Sequence, residues 1–421
     1  MGVLMIGLAL ALLAGAITFV ITLIRNNRTP TVSIPTATMP TPNAFDTYVA
    51  AGKAIVRKDE ISSAFAEKNQ GQKLTDDQKA ALVDANREPL KAIRTGLALP
   101  YRQPSLRSLS DPVPYYKDFT YAGRLIALES RVYAARGDVG KAMESALDGI
   151  QFGKHLGTGA SLIGGLVSLV CQSSSRYAAW DIRDRLDATQ AKAATQRLQN
   201  LRKMGVSYTD ILIEEKYKLQ SCAMEIFRDP KKYPADASGD KNDSPQNADA
   251  RATTLSYFWS IYGKQRSMDN VTRAMDAAIA QSKRRYIDDH APIPEPKDLI
   301  SAILLPEVST ARLRFAANET QDALLTLDLA LRAYKGENGQ YPATLEALVP
   351  RYLPELPVDP FARSGSPRYR VTPDGFLLYS IGPDGKDDNG EPIENPEAKT
   401  EREKRLVRPS SPGDIVAGVN F

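Results

Sequence analysis

The chain has 421 residues, 43% apolar and 25% charged, which suits two or three folded cores and excludes a largely disordered protein. The formal charge is only +4, with Lys and Arg spread among Asp and Glu, so no basic stripe of the kind nucleic-acid binding needs is present. Two cysteines, Cys171 and Cys222, are too few for a disulfide framework or a cysteine metal cluster, and both lie on apolar-periodic segments that favour buried free thiols.

The first element runs from Gly2 to Ile24, where no residue is charged. That length matches the ~20 apolar residues a helix needs to cross a bilayer. A cleaved signal would carry a basic start and end in a small-residue cleavage site; this run ends Thr22-Leu-Ile-Arg-Asn-Asn-Arg28. The expectation is an uncleaved single-pass anchor over residues 1–25. Arg25 and Arg28 follow it and, by the positive-inside rule alone, would place the bulk of the chain in the cytoplasm. Within residues 26–44, Thr29 to Pro42 is rich in Pro and Thr and reads as an extended tether that does not pack.

Residues 45–290 carry a helical pattern. Thr75 with Gln78 three residues on forms a capping box, and Asp187 opens a helix over 188–202. Gly157 to Gln172 is uncharged but short for a membrane span and holds Thr158, Ser161 and Ser168, so it reads as a buried core helix. Residues 229–250 are rich in Asp, Ser, Asn and Gly and predict a mobile loop. Helices resume over 251–288. After the Pro-rich break at 292–296, one long helix is expected from Lys297 to about Tyr334. Beyond Tyr341 come short turns and strand-like runs at Arg368–Val371, Phe376–Ile381 and Ile415–Val419. The fold class is therefore mainly α with a C-terminal α+β domain over 296–421.

Within Ala122–Phe152, Ser130, Tyr133, Gly137, Ala142 and Ala146 fall at the spacings of a tetratricopeptide repeat. The segment resembles one such hairpin, with Gly137-Asp138 as the turn. No second copy follows at the ~34-residue period an array requires, so an ordinary helical hairpin is the alternative.

Catalytic chemistry is hard to place. The histidines, His155 and His290, stand on separate segments, and each reads as a structural or solvated imidazole. There is no His-Glu-x-x-His and no Cys-x-x-Cys. Gly159-Ala-Ser161-Leu-Ile-Gly164 is not a nucleophile elbow, because Ile163 stands where the second Gly belongs. Gly137-Asp-Val-Gly140-Lys141-Ala142 is not a phosphate loop, because Ala142 replaces the magnesium-holding hydroxyl. No enzyme and no small-molecule substrate is read from the chain.

From about Leu299 onward several motifs coincide: Tyr334-x-x-x-Asn338-Gly339-x-Tyr341-Pro342, Leu345-Glu-Ala-Leu348, Asp359-Pro360 and Tyr379-Ser-x-Gly382-x-Asp384-Gly385. Across roughly the last third of the chain these resemble the major pseudopilin of type II secretion systems. The resemblance implies a long helix packed on a small antiparallel sheet, with a calcium ion pinning the loop after the sheet. Asp384 matches the family's Gly-x-Asp-Gly turn and Asp414 its returning acidic residue. Asp387 and Asp388 lie where the intervening acidic residues fall. Calcium takes six to eight oxygen ligands from carboxylates, carbonyls and water, so the donor types suit it; a hydrated Asp-Gly turn closing a hairpin is the alternative. Two departures stand out. An insertion over 391–412 separates Asp414 from the loop. The module is also internal, with no prepilin-peptidase site before it and no Glu in the anchor, so assembly as a pseudopilus subunit is not expected.

These readings predict a non-enzymatic, membrane-anchored extracytoplasmic protein associated with a type II secretion or pilus-like system. Extracytoplasmic placement follows from the calcium implied by the resemblance and runs against Arg25 and Arg28. The alternative is a helical scaffold that recruits a protein partner through the tetratricopeptide-like hairpin.

Overall fold

The computed structural model describes residues 2–65, 74–232, 245–289, 291–293, 298–409 and 411–420; His290 and much of the loop expected at 229–250 lie outside them. The chain is mainly helical, with one small antiparallel sheet. Helix α1 (Gly2–Asn27) is the apolar segment, long and apolar enough to cross a membrane. The linker after it does pack. Pro30 is buried, and Val32 rests against the cluster around Trp259, because its few apolar side chains find apolar surface within reach.

Helices α2 (Ala44–Ala54), α3 (Lys58–Ser63), α4 (Asp76–Ala85) and α5 (Arg87–Leu97) form a layer over α6 (Tyr115–Ala135). The Thr75–Gln78 capping box opens α4 as expected. The hairpin of α6 with α7 (Val139–Gly157) turns at Gly137, whose φ of 85° puts it in the left-handed region. Ser130 Oγ donates to the Ala142 carbonyl at 2.7 Å across the pair, and Ala142 and Ala146 are fully buried. Helix α8 (Leu162–Ile182) closes this hairpin into a three-helix unit. The uncharged stretch is thus an inner helix of the body, with Ile163 and Val170 left on its outer face.

Helix α9 (Ala188–Lys203) starts at Asp187, which forms a capping box with Gln190. Helix α10 (Tyr208–Arg228) follows, then α11 (Pro245–Tyr262) and α12 (Lys264–Ser282). Helix α11 begins inside the segment expected to be a loop. Its second half, Leu255 to Tyr262, supplies apolar side chains that dock on α10, with Trp259 against Phe227 at 5.2 Å between ring centroids. Tertiary burial there outweighs the polar composition of the first turns.

The long helix expected from Lys297 is broken at Pro306 into α13 (Leu299–Leu304) and α14 (Val308–Asn338), since proline lacks the N–H a continuing helix needs. Gly339, at φ 80°, ends α14. Leu345–Leu348 forms a short 3-10 helix. Strands β1 (Arg368–Thr372) and β2 (Gly375–Ser380) form a hairpin, and β3 (Ile415–Val416) pairs antiparallel to β2 in the order β1-β2-β3. Helix α15 (Glu401–Lys404) lies in the insertion.

One hydrophobic cluster runs from α7, α8 and α9 through α14 to Leu378, Ile381, Ile393, Val407 and Ile415. The segments on either side of the boundary expected near residue 296 share this core, with α14 touching α8 and α9 as well as β2.

The contacts of α7 and of α6 with α8 leave no room for a methyl group. A Cβ on Gly153 would stand 2.8 Å from the Gln172 backbone nitrogen, and one on Gly123 3.1 Å from the Cys171 Cα. Overpacking of this kind costs ~1–3 kcal/mol and should exceed the ~1 kcal/mol helical advantage of Ala over Gly. Gly153→Ala and Gly123→Ala are therefore expected to lower the chemical-denaturation midpoint, and an unchanged midpoint would contradict this packing.

Candidate functional site

The aspartate loop begins where β2 leaves the sheet. Gly382 and Gly385 adopt φ of 73° and 71°, values that favour glycine. Asp384 Oδ1 accepts from the Lys386 backbone N–H at 3.1 Å and so closes its own turn. Asp387 Oδ1 accepts from the Tyr379 hydroxyl and the Asn389 backbone N–H, each at 3.0 Å, while Oδ2 stands 3.5 Å from Arg368.

Asp414 is fully buried. Its Oδ2 accepts from the Gly390 N–H at 2.6 Å and its Oδ1 from the Asp388 N–H at 3.4 Å. Asp388 Oδ2 in turn accepts from the Gly413 N–H at 3.1 Å. The insertion does not carry Asp414 away. The chain leaves and returns beside itself through a parallel bridge between Pro392 and Asp414, with Asp414 N–H donating to the Glu391 carbonyl at 2.7 Å and Ile393 N–H to the Asp414 carbonyl at 3.0 Å.

The structure therefore brings Asp387, Asp388 and Asp414 together and leaves Asp384 in a separate turn. Burial raises the Asp414 carboxyl to about 6, and the charges of Asp387 and Asp388 add to it, against the two backbone donors. No Lys or Arg pairs with Asp388 or Asp414 among the described residues. The donors suit a hard cation. Their present orientation spends them on backbone N–H groups, and no three acidic, His or Cys side chains among the described residues converge on one point.

The nearby motif residues have structural tasks. Asp359 Oδ1 accepts from the Phe361 N–H at 3.0 Å and the Ser380 hydroxyl at 2.7 Å, tying the Asp-Pro turn to β2. Tyr341 meets Phe376 edge-on at 4.8 Å.

A second polar centre escaped the sequence reading. Asp322, on α14, is 2% exposed. It accepts from Lys154 of α7 at 2.7 Å and from Arg176 of α8 at 2.5 Å. The other arm of Arg176 donates to Asn318 Oδ1 at 2.6 Å, and Asn318 donates to Gln172 Oε1 at 3.2 Å. Burial alone would raise the Asp322 carboxyl, but the charges and hydrogen bonds of Lys154 and Arg176 more than offset it and hold it at about 2. The group forms one wall of a cavity of about 460 Å³, whose rim carries Arg202, Arg284, Arg285 and Arg312 beside the stacked Tyr208 and Phe315 rings. Chemically the cavity offers fixed charge and aromatic surface, and among the described residues neither histidine nor cysteine lines it. The signal available in the sequence was an Asp one turn before Leu325 and next to Ala323 and Leu324 in a long helical segment.

His155 is a core imidazole. It is 7% exposed, shares a 2.9 Å hydrogen bond with the Tyr48 hydroxyl and stacks on Tyr101. Cys171 and Cys222 are both buried free thiols. Comparison with protein-family models, curated proteins and solved structures finds no match to this chain.

Removing the carboxylate of Asp322 leaves two buried cations without their counter-ion. Asp322→Ala is expected to cost ~3–5 kcal/mol of stability, read from denaturant unfolding, and a loss below 1 kcal/mol would contradict the pairing, a threshold of the order of a surface ion pair. Burial depresses the His155 pKa from 6.5 to about 4. Below pH 6.5 the unfolded chain takes up a proton that the folded chain refuses, so stability falls with pH through this window, by ~3 kcal/mol at full extent. Asp414, raised in the fold, acts in the opposite sense over much of the same range. The measurement is therefore the difference between wild type and His155→Gln, which should diverge between neutral pH and pH 4. Parallel stability curves would show that His155 is not held neutral.

Proposed function

We propose that the protein is a non-enzymatic, membrane-anchored component whose folded body binds or assembles with protein partners outside the cytoplasmic membrane. The observation that carries this reading is the state of α1. From Ile6 to Thr22 every residue is exposed, and the side chains include Leu8, Leu12, Ile17 and Phe19 at 52–67% exposure. An apolar helix left bare on a protein with several well-filled cores calls for an apolar solvent.

The pseudopilin-like reading of the C-terminal module is supported by α14 lying on an antiparallel sheet, by Gly339 at its left-handed end, and by the roles of Tyr341 and Asp359. Calcium is proposed for the loop of Asp387, Asp388 and Asp414, because a buried, unpaired carboxylate beside two others gains most from a cation. Filling it requires Asp387 and Asp388 to turn from their backbone donors. Such a site suits the calcium-rich extracytoplasmic side.

The scaffold reading is less well supported. The faces of α6 and α7 that bear the repeat-like small residues are filled by α8 and by α2, which leaves mainly the polar rim around Arg136, Lys141 and Glu144 facing outward.

Fractionation tests the anchor: the full chain should stay with membranes through alkaline carbonate washing, and a chain lacking residues 1–27 should not. Recovery of the full chain in the soluble fraction would overturn the reading. For the loop, calcium at a hundredfold excess over Kd should stabilise the detergent-solubilised protein by ~2.7 kcal/mol. Asp388→Asn and Asp414→Asn should abolish the shift, while Asp384→Asn should leave most of it. A melting curve indifferent to calcium and chelator would leave a hydrogen-bonded turn and remove the metal from the account.

A further inference from the structure

Outside α1, the two most exposed large apolar side chains among the described residues are Tyr257 at 72% and Ile261 at 66%. Both belong to α11. Four residues apart, they lie on one face of the helix. Trp259, two residues from each, lies about 200° around the helix axis and is fully buried against Phe227. One face of α11 is thus bound to the body, and the opposite face presents apolar surface to its surroundings.

The position of that face relative to α1 is fixed. Over residues 6–27, shielding of α1 by the body sets in at Leu23, with Asn26 and Asn27 also shielded on the same side. Asn26 Nδ2 donates to the Ser260 and Ile261 carbonyls at 2.9 and 3.1 Å, and Asn27 Nδ2 to Ser260 Oγ at 2.9 Å. The left-handed Gly263, which follows α11, lies against Asn26 so closely that a Cβ there would meet its side-chain oxygen at 3.2 Å. The end of the apolar helix and the end of α11 therefore form one corner.

From Gly2 to Ile24 the helix rises ~34 Å, against a hydrocarbon thickness of ~30 Å. The last uncharged turn of α1 then falls at the boundary between acyl chains and headgroups, and the corner falls there with it. The composition of the corner matches that layer. Tyr257, Phe258 and Tyr262 are amphipathic or aromatic; Arg25 and Arg28 follow the apolar run, and Arg266 lies over the Tyr262 ring at 5.1 Å, positive charge suited to phosphate headgroups.

We propose that the Tyr257–Ile261 face of α11 is a lipid-contact surface, seated in the interfacial layer of the same bilayer that α1 crosses. The inference rests on the anchor reading. It adds that the body is held against the membrane at a defined corner, with the side-chain amides of Asn26 and Asn27 as the fixing points, instead of swinging on the Pro- and Thr-rich linker.

The test uses the full chain in nanodiscs of phosphatidylcholine and phosphatidylglycerol. Cys171 and Cys222 are buried, so an environment-sensitive thiol dye can be placed at single new cysteines: Tyr257→Cys, Ile261→Cys, Leu13→Cys and Met204→Cys. Leu13 lies near the middle of α1. Met204 is exposed at the turn before α10, ~30 Å along that helix from the α11 contact. Far-ultraviolet circular dichroism confirms that each labelled variant keeps its helical content.

The expected result is that dye at 257 and 261 shifts to the blue and loses emission to lipids carrying a doxyl quencher near the headgroup. Dye at 13 should respond instead to a quencher near the chain end, and dye at 204 to neither. If 257 and 261 behave like 204 while 13 is quenched, the anchor stands and the lipid-contact surface is overturned. If 13 is not quenched, the anchor reading falls and this inference falls with it.

Discussion

The buried carboxylate of Asp322 is the constraint from which the arrangement of the body follows. A charge removed from water must be met by opposite charge and hydrogen bonds, or its burial is prohibitive. Here the partners come from two other helices, Lys154 of α7 and Arg176 of α8. The pairing fixes the rotation and height of α14 against the three-helix unit, because a shift by one residue would turn the carboxylate away from both cations. Much of α14 is also enclosed by apolar contacts with α8, α9 and β2. The ion group therefore adds direction to a packing that hydrophobic burial alone leaves loosely specified.

The remaining features depend on that placement. With α14 set, β2 packs against it, and the turn after β2 carries the aspartate loop. The insertion returns through the Pro392–Asp414 bridge, so the buried Asp414 sits among neighbours that carry its own sign of charge. Elsewhere in the body, α10 and α12 carry α11 to the root of α1. Two polar devices thus do different work. The Asp322 carboxylate is met by two cations and gives the core its direction, whereas Asp414 has neighbouring carboxylates and no Lys or Arg partner among the described residues.

Local chemistry was legible in the sequence. The capping boxes at Thr75 and Asp187, the left-handed turn at Gly137 and the three strands are each decided within a few neighbouring residues, and they appear close to where the sequence puts them. The start of α11 and the packing of the linker were not legible. Helix α11 docks through Trp259 on Phe227 of α10, and the linker places Val32 on the same cluster; these contacts join distant parts of the chain and override polar or Pro-rich composition. The break at Pro306 was readable from proline's missing donor, although one long helix was expected from Lys297. Of the candidate site, the sequence indicated the cluster of carboxylates but not that Asp384 would close a turn of its own. Lys154, Arg176 and Asp322 could not be joined in advance, since nothing local relates residues so far apart in the chain.

The central claim is that α14 makes the helical body and the sheet one cooperative structure. Native-state hydrogen exchange, followed by mass spectrometry at rising denaturant, tests it directly. Slowly exchanging amides of α8, α9, α14 and β2 should converge on a single opening free energy, because none of these elements can leave without exposing the shared core. Exchange of β1 and β2 through a separate, lower-energy opening, with α8 and α9 still protected, would contradict the account and make the C-terminal module an independent unit.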